Sequence, residues 1–140
     1  MRYIILFVLL FVAFPPTVNA QSTPAKTTTS EKTPLVLVEE QLQAYNKRDI
    51  EAFLAPYSDS VELYSFPDKL LGKGKESMRK EYGEFFRTTP KLHCEIKNRI
   101  IQGNTIVDQE KVTGMGDRVL EAIAIYQIEG GKIRRVYFVD

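Results

Sequence analysis

The chain of 140 residues has one cysteine, Cys94, and one histidine, His93. A lone thiol excludes an internal disulfide, so stability must come from packing. Neighbouring residues of a strand point to opposite faces, so this pair can form neither a Cys/His nucleophile nor a zinc site. A G-x-S-x-G elbow is missing as well. The segment Gly72 Lys73 Gly74 Lys75 Glu76 Ser77 lacks Walker spacing and reads as a loop entering a helix. An excess of charge is also lacking. Of 19 basic residues one, Arg2, lies in the first twenty, and none of the 18 acidic ones does, so the remainder is formally neutral. That balance disfavours nucleic acid or an anionic membrane as partner. No metal or cofactor is expected.

The apolar run Tyr3 to Phe14 is shorter than the roughly 20 residues that span a bilayer. Preceded by Arg2 and followed by Pro15 Pro16 and the small-residue end Val18 Asn19 Ala20, it has the order of a secretory signal cleaved before Gln21. The expectation is export, to a periplasm or the exterior, with no membrane attachment afterwards. Cleavage leaves no Cys at the new N-terminus for a lipid. Residues 21–33, rich in Ser, Thr and Lys, cannot offset their ordering entropy and read as a flexible linker. Residues 34–140 then form one domain.

Thr33 caps a first helix with Pro34 at its first position, and Leu35, Val38, Leu42 and Tyr45 form its apolar stripe with Gln41 among them. After Asn46 Lys47 Arg48, Asp49 caps a second helix carrying Ile50, Phe53, Leu54 and Tyr57. Val61, Leu63 and Ser65 alternate as one face of a strand that ends at Pro67 Asp68. Met78, Tyr82, Phe85 and Phe86 mark a third helix after Gly74. From Lys91 the period becomes two: Leu92, Cys94, Ile96, Asn98 and Ile100 face inward, and His93, Glu95, Lys97 and Arg99 outward. Turns at Gly103 Asn104, Gly114 to Asp117 and Gly130 Gly131 make the rest a meander of long, bending strands. Three helices must cover one face of that sheet. The predicted fold is α+β, a cone-shaped α+β barrel with the helices packed on a curved, mainly antiparallel sheet.

Such a cone holds a pocket. The inward stripes place Gln41, Tyr45, Leu63, Ser65, Met78, Tyr82, Phe86, Asn98 and Tyr126 toward it. The strand from Thr105 to Thr113 is apolar on both alternations. One parity turns the carboxylates Asp108 and Glu110 inward, as a site for proton transfer; the other turns Gln109 and Lys111 inward. Buried charges are rare without partners, and a charged surface is the plainer reading of each. Cys94, between Leu92 and Ile96, reads as a buried, unreactive thiol.

Ala44 Tyr45 Asn46 Lys47 Arg48 Asp49 with Phe53, Tyr57 Ser58 Asp59 Ser60 Val61, Leu71 Gly72 Lys73 Gly74 Lys75 Glu76 Ser77, and Ile125 to Ile133 resemble the SnoaL-like branch of the nuclear transport factor 2-like superfamily. Relatives of this branch include steroid delta-isomerases and polyketide cyclases, and the resemblance spans Leu35 to Asp140. It implies that Gln41 stands where the isomerases have an oxyanion-hole Tyr, Ser65 near their Asp base, and Ala124 at their protonated Asp. With all three replaced, ketosteroid isomerisation is not expected. The same alignment turns Ala124 inward and favours Gln109 and Lys111 as inward.

Two functional readings follow. One is an exported pocket protein binding a small, largely apolar ligand without catalysis. The other is an isomerase, cyclase or dehydratase using Asp108 or Glu110 as base. The parity of the Thr105 strand separates them. A homodimer through the outer sheet face is also expected, because Val119, Ile123 and Ile125 form an outward aliphatic stripe once Ala124 points in. Light scattering showing only monomer would refute it.

Overall fold

The computed structural model describes residues 31–139, so the signal and nearly all of the linker lie outside the described residues. In chain order the elements are α1 (Pro34–Lys47), α2 (Ile50–Leu54), β1 (Tyr57–Ser65), β2 (Lys69–Lys73), α3 (Lys75–Thr88), β3 (His93–Gln102), β4 (Thr105–Met115), β5 (Arg118–Glu129) and β6 (Lys132–Val139). The strands form one curved, unclosed sheet in the order β2-β1-β6-β5-β4-β3. Every pairing is antiparallel except β1 with β6. Among the described residues no helix is long and apolar enough to cross a membrane.

The helix starts follow the capping chemistry. The Thr33 side chain accepts from the Val36 amide ahead of Pro34, and Asp49 accepts from the Ala52 amide. Between the two helices Arg48 adopts φ 57° and ends α1 in the left-handed region. Its neighbour Asn46 does what a strand would do: its side-chain amide donates to the Cys94 carbonyl at 2.9 Å and accepts from the Cys94 amide at 2.7 Å. Arg48 adds a bond to the Leu92 carbonyl. The end of α1 is thereby clamped to the start of the edge strand β3, which fixes the helix over the sheet.

Two elements differ from the sequence expectation. The second helix stops at Leu54: Ala55 still has helical backbone angles and bonds to the Glu51 carbonyl, but Pro56 has no N–H to continue the ladder, and Tyr57 opens β1 instead. The stretch before α3 is not all loop: Lys69–Lys73 is a short edge strand paired with β1. Its side chains are largely exposed, so no alternating pattern announces it.

The inward faces of β3 and β4 are set by two irregularities. In β4 the buried residues are Ile106, Asp108, Glu110 and Val112, so the even positions point in. The expectation that Gln109 and Lys111 point in is therefore overturned: Gln109 is exposed and Lys111 only partly covered. A two-residue loop pairs Met115 with Arg118, and extending that register would set Gln109 opposite Ala124. An extra residue between Val112 and Met115 shifts the ladder, and Asp108 sits opposite Ala124. Gly114 makes the shift possible. Its φ is +90°, and a Cβ there would lie 1.9 Å from the Lys91 carbonyl oxygen.

In β3 the register slips between Ile96 and Asn98. Cys94 and Ile96 face inward as expected, but beyond the slip Asn98 is exposed and Arg99 turns in against Asp108. His93 stays exposed. The outer face of the sheet carries exposed Ile100, Val119 and Ile123.

Candidate functional site

Between the helices and the concave sheet lies a cavity of about 440 Å³, within the usual range for a small-molecule site. Gln41, Tyr45, Ser65, Tyr82 and Tyr126 all line it. Leu63 instead faces an adjoining cleft of about 290 Å³. Met78 and Phe86 are buried behind the wall, in the core. The reason is aromatic packing: Phe53 and Tyr45 stand between Phe86 and the cavity, each with ring centroids 5.4 Å from it. Asn98 and Gln109, expected in the pocket, lie outside it because of the two register shifts.

Glu110 reaches the cavity from β4, and a chain of hydrogen bonds ends on it. The Tyr57 hydroxyl donates to Gln41 Oε1 at 3.2 Å; Gln41 Nε2 donates to the Tyr126 hydroxyl at 3.1 Å; Tyr126 donates to Glu110 Oε1 at 2.9 Å. Each donor in this series points toward the carboxyl, so the chain both orients it and supports its negative form. Burial works in the opposite direction and is the larger effect. It raises Glu110 to about 7, helped by the nearby Asp108, against the lowering pull of the Tyr126 bond and Arg99. The carboxyl can thus exist in both protonation states near neutral pH.

Asp108, two residues earlier on the same face, is fully buried and held by both oxygens: Arg99 Nε lies 2.6 Å from Oδ1 and Nη2 2.7 Å from Oδ2. Arg99 also bonds Glu39 of α1. Asp108 does not line the cavity. Of the two candidate carboxylates, then, one faces the cavity and the other is occupied with an arginine.

Two more hydroxyls are open. Tyr45 and Tyr82 line the cavity, and burial raises both well above the ordinary tyrosine value. They are neutral donors at any physiological pH, and neither is hydrogen-bonded among the described residues. Cys94 is buried, and burial with Glu110 and Asp108 nearby pushes its thiol up to about 12, which suits a packing role.

Three participants escape the sequence pattern. Tyr57 belonged to a helix in that reading, Arg99 to the outer face, and Lys69, which also lines the cavity, had no part in it. A signal for Arg99 did exist: a buried carboxylate at Asp108 requires a cation on the neighbouring strand.

A helix-covered curved sheet enclosing an apolar cavity with one carboxyl at depth defines an α+β pocket protein of the nuclear transport factor 2-like fold. Within that class the chain belongs to the SnoaL-like domain family, whose profile matches residues 38–136. Among solved structures it is similar to an uncharacterised cystatin-fold protein of Novosphingobium aromaticivorans, with 25% identity, TM-score 0.73, and coverage of 78% of this chain and 99% of that one. A candidate polyketide cyclase of Sinorhizobium meliloti shares 13% identity over 74% of this chain and 93% of its own, with TM-score 0.63. A candidate ketosteroid isomerase of Kribbella flavida shares 19% over 76% of each chain, with TM-score 0.61. No curated protein matches the chain.

Proposed function

We propose that the cavity binds a small, largely apolar carbonyl compound and that Glu110 moves a proton on it, as in an isomerase, cyclase or dehydratase. The observation that supports this reading is the placement of Glu110: a carboxyl at the cavity wall, raised to about 7, with no cation bonded to it among the described residues and a chain of donors behind it. Ionised Glu110 would take a proton from a carbon next to the carbonyl through Oε2, while Oε1 stays on Tyr126. The C–H electron pair moves into the carbonyl, and the enolate oxygen accepts from Tyr45 or Tyr82. Protonated Glu110 then returns the proton to carbon. This division of work needs one carboxyl and one neutral donor. It does not use Gln41, Ser65 or Ala124 in the roles that the isomerases give the aligned positions. Asp108, held by Arg99, supports the site without touching a ligand.

The test is hydrogen exchange on 2-tetralone, an apolar ketone with acidic C–H bonds, followed by NMR in deuterated buffer. The protein should speed deuterium uptake, and Glu110→Gln should remove on the order of a hundredfold of that acceleration. Binding of the ketone with uptake at the buffer rate would leave a binding protein without catalysis.

A further inference from the structure

The cavity has a second polar end, on the same face of the sheet as Glu110 but several strands across from it. One continuous row of cross-strand partners crosses the concave face: Lys69 opposite Ser65, Ser65 opposite Phe138, Phe138 opposite Ala124, and Ala124 opposite Asp108. Residues directly opposite one another in paired strands project to the same side, and the cavity is lined at the far end of this row by Lys69, Ser65 and Phe138. Glu110 is two residues beyond Asp108 on β4. Lys69 is thus four strands from it, about 19 Å along the curved sheet at the usual strand spacing.

The two ends differ in exposure and charge. Glu110 is 9% exposed, whereas Lys69 is exposed beside Leu71, which is 50% exposed. The Lys69 end is therefore the mouth. Other cations on or beside β1 and β2 have partners: Lys73 pairs with Glu62 at 3.0 Å, Lys75 with Asp59 at 3.2 Å, and Arg135 with Glu62 at 3.5 Å. Among the described residues Lys69 has none, and it is the one cation among the residues that line the cavity. Its neighbour Ser65 presents a hydroxyl to the same space. Of the acids near this end, Glu81 on α3 lies in the adjoining cleft and accepts from Ser77, and the exposed Asp68, next to Lys69 in the chain, makes no ion pair with it among the described residues.

Resting on the proposed reading of the cavity, we infer that Lys69 and Ser65 form an anion anchor at its mouth, and that the molecule taken is an apolar monoanion. Its negative end, a carboxylate or sulfonate, meets Lys69 Nζ and Ser65 Oγ. Its neutral end points inward along Phe138, Phe85 and Ala122 to Glu110. The reverse orientation sets the anion against a carboxyl and leaves the lysine without a partner, so the charges select one direction of entry. The ligand class narrows from any small apolar molecule to an apolar acid whose reactive carbon is remote from its charged group.

A matched pair of dyes tests this: 1-anilinonaphthalene-8-sulfonate, an anion, and N-phenyl-1-naphthylamine, the same skeleton without the sulfonate. The protein should bind the anion more tightly than the neutral dye. Lys69→Met, an exposed substitution that keeps the apolar stem, should lower that preference about two- to fivefold, chiefly through the anion. Lys69→Arg should retain it, and Lys97→Met, on the outer face, should not change it. Displacement of the neutral dye by octanoate and by 1-octanol repeats the comparison with a carboxylate. If the neutral dye binds and 2-tetralone displaces it, yet Lys69→Met leaves the preference intact or Lys97→Met lowers it equally, the anchor is wrong and the pocket stands. If 2-tetralone displaces neither dye, the pocket reading fails and the anchor with it.

Discussion

Asp108 and Glu110 lie two residues apart on one face of one strand and have opposite surroundings. Around Asp108, β3 and α1 supply Arg99 and Glu39, and the carboxylate is held by two bonds from one guanidinium. Around Glu110, α1 and β5 supply Gln41 and Tyr126, which are neutral, and the remaining side is open to the cavity. The first neighbourhood neutralises a charge and joins three elements. The second leaves a charge only partly compensated, which makes it sensitive to protons and to a ligand. The same residue chemistry thus becomes structural or reactive according to whether the adjoining strand offers a cation.

The largest effect should follow from breaking the first neighbourhood. Arg99→Met keeps most of the stem's packing but leaves Asp108 buried without its partner. Loss of one member of a buried pair costs about 3–5 kcal/mol, and urea unfolding at neutral pH should show a loss of that order. A loss below about 1 kcal/mol would mean that Asp108 is hydrated or protonated in the variant, and that the comparison between the two carboxyls is weaker than their geometry indicates.

The second neighbourhood should reveal itself through pH. Glu110 is raised from its ordinary 4.5 to about 7, so between these values the native state holds a proton that the unfolded chain has released. Its contribution to stability is fully present below pH 4.5 and is lost as pH rises through 7. At about 1.4 kcal/mol per unit the total is about 3 kcal/mol. Burial supplies most of that change, and the Tyr126 hydroxyl, Asp108 and Arg99, which face Glu110, adjust it. Glu110→Gln should abolish the slope and be more stable than the parent at pH 8. Carbon-acid exchange should move the other way, rising with pH through about 7, because the ionised form is the base. Thermal unfolding across pH 4–9, with and without the substitution, measures the first; the exchange rate over the same range measures the second.

Why the site was only partly legible follows from these same residues. The helices, the meander and the stripes carrying Gln41, Tyr45, Tyr82 and Tyr126 come from periodicity and capping, which are local, and the structure keeps them. Which face of β4 points inward is not local. It depends on one extra residue at Gly114, whose unusual backbone is needed only because the Lys91 carbonyl passes within contact distance. From sequence Gly114 reads as a turn residue, so the ladder is counted one step out and Gln109 is placed where Asp108 belongs. The slip at Lys97 and Asn98 has no glycine to mark it, and it exchanges Asn98 for Arg99. A charge argument would have recovered both shifts together, because only the shifted registers bring Arg99 and Asp108 face to face.

The smallest effect expected is the one that best separates the two neighbourhoods. Tyr126→Phe removes a single hydroxyl that donates to Glu110 and accepts from Gln41. With Glu110 protonated, at pH 5.5, the loss is chiefly that of Gln41's acceptor, about 1 kcal/mol. With Glu110 ionised, at pH 8.5, a bond to a charged group is lost as well, and the cost should rise to about 2 kcal/mol. The same bond lowers Glu110's affinity for a proton, so the substitution should move its titration above 7, by up to about one unit. In the Glu110→Gln background the pH dependence of the Tyr126→Phe cost should vanish, which a double-mutant cycle at the two pH values reads directly. A cost equal at both pH values in the parent would show that Tyr126 serves only to hold Gln41, and that Glu110 is governed by burial alone.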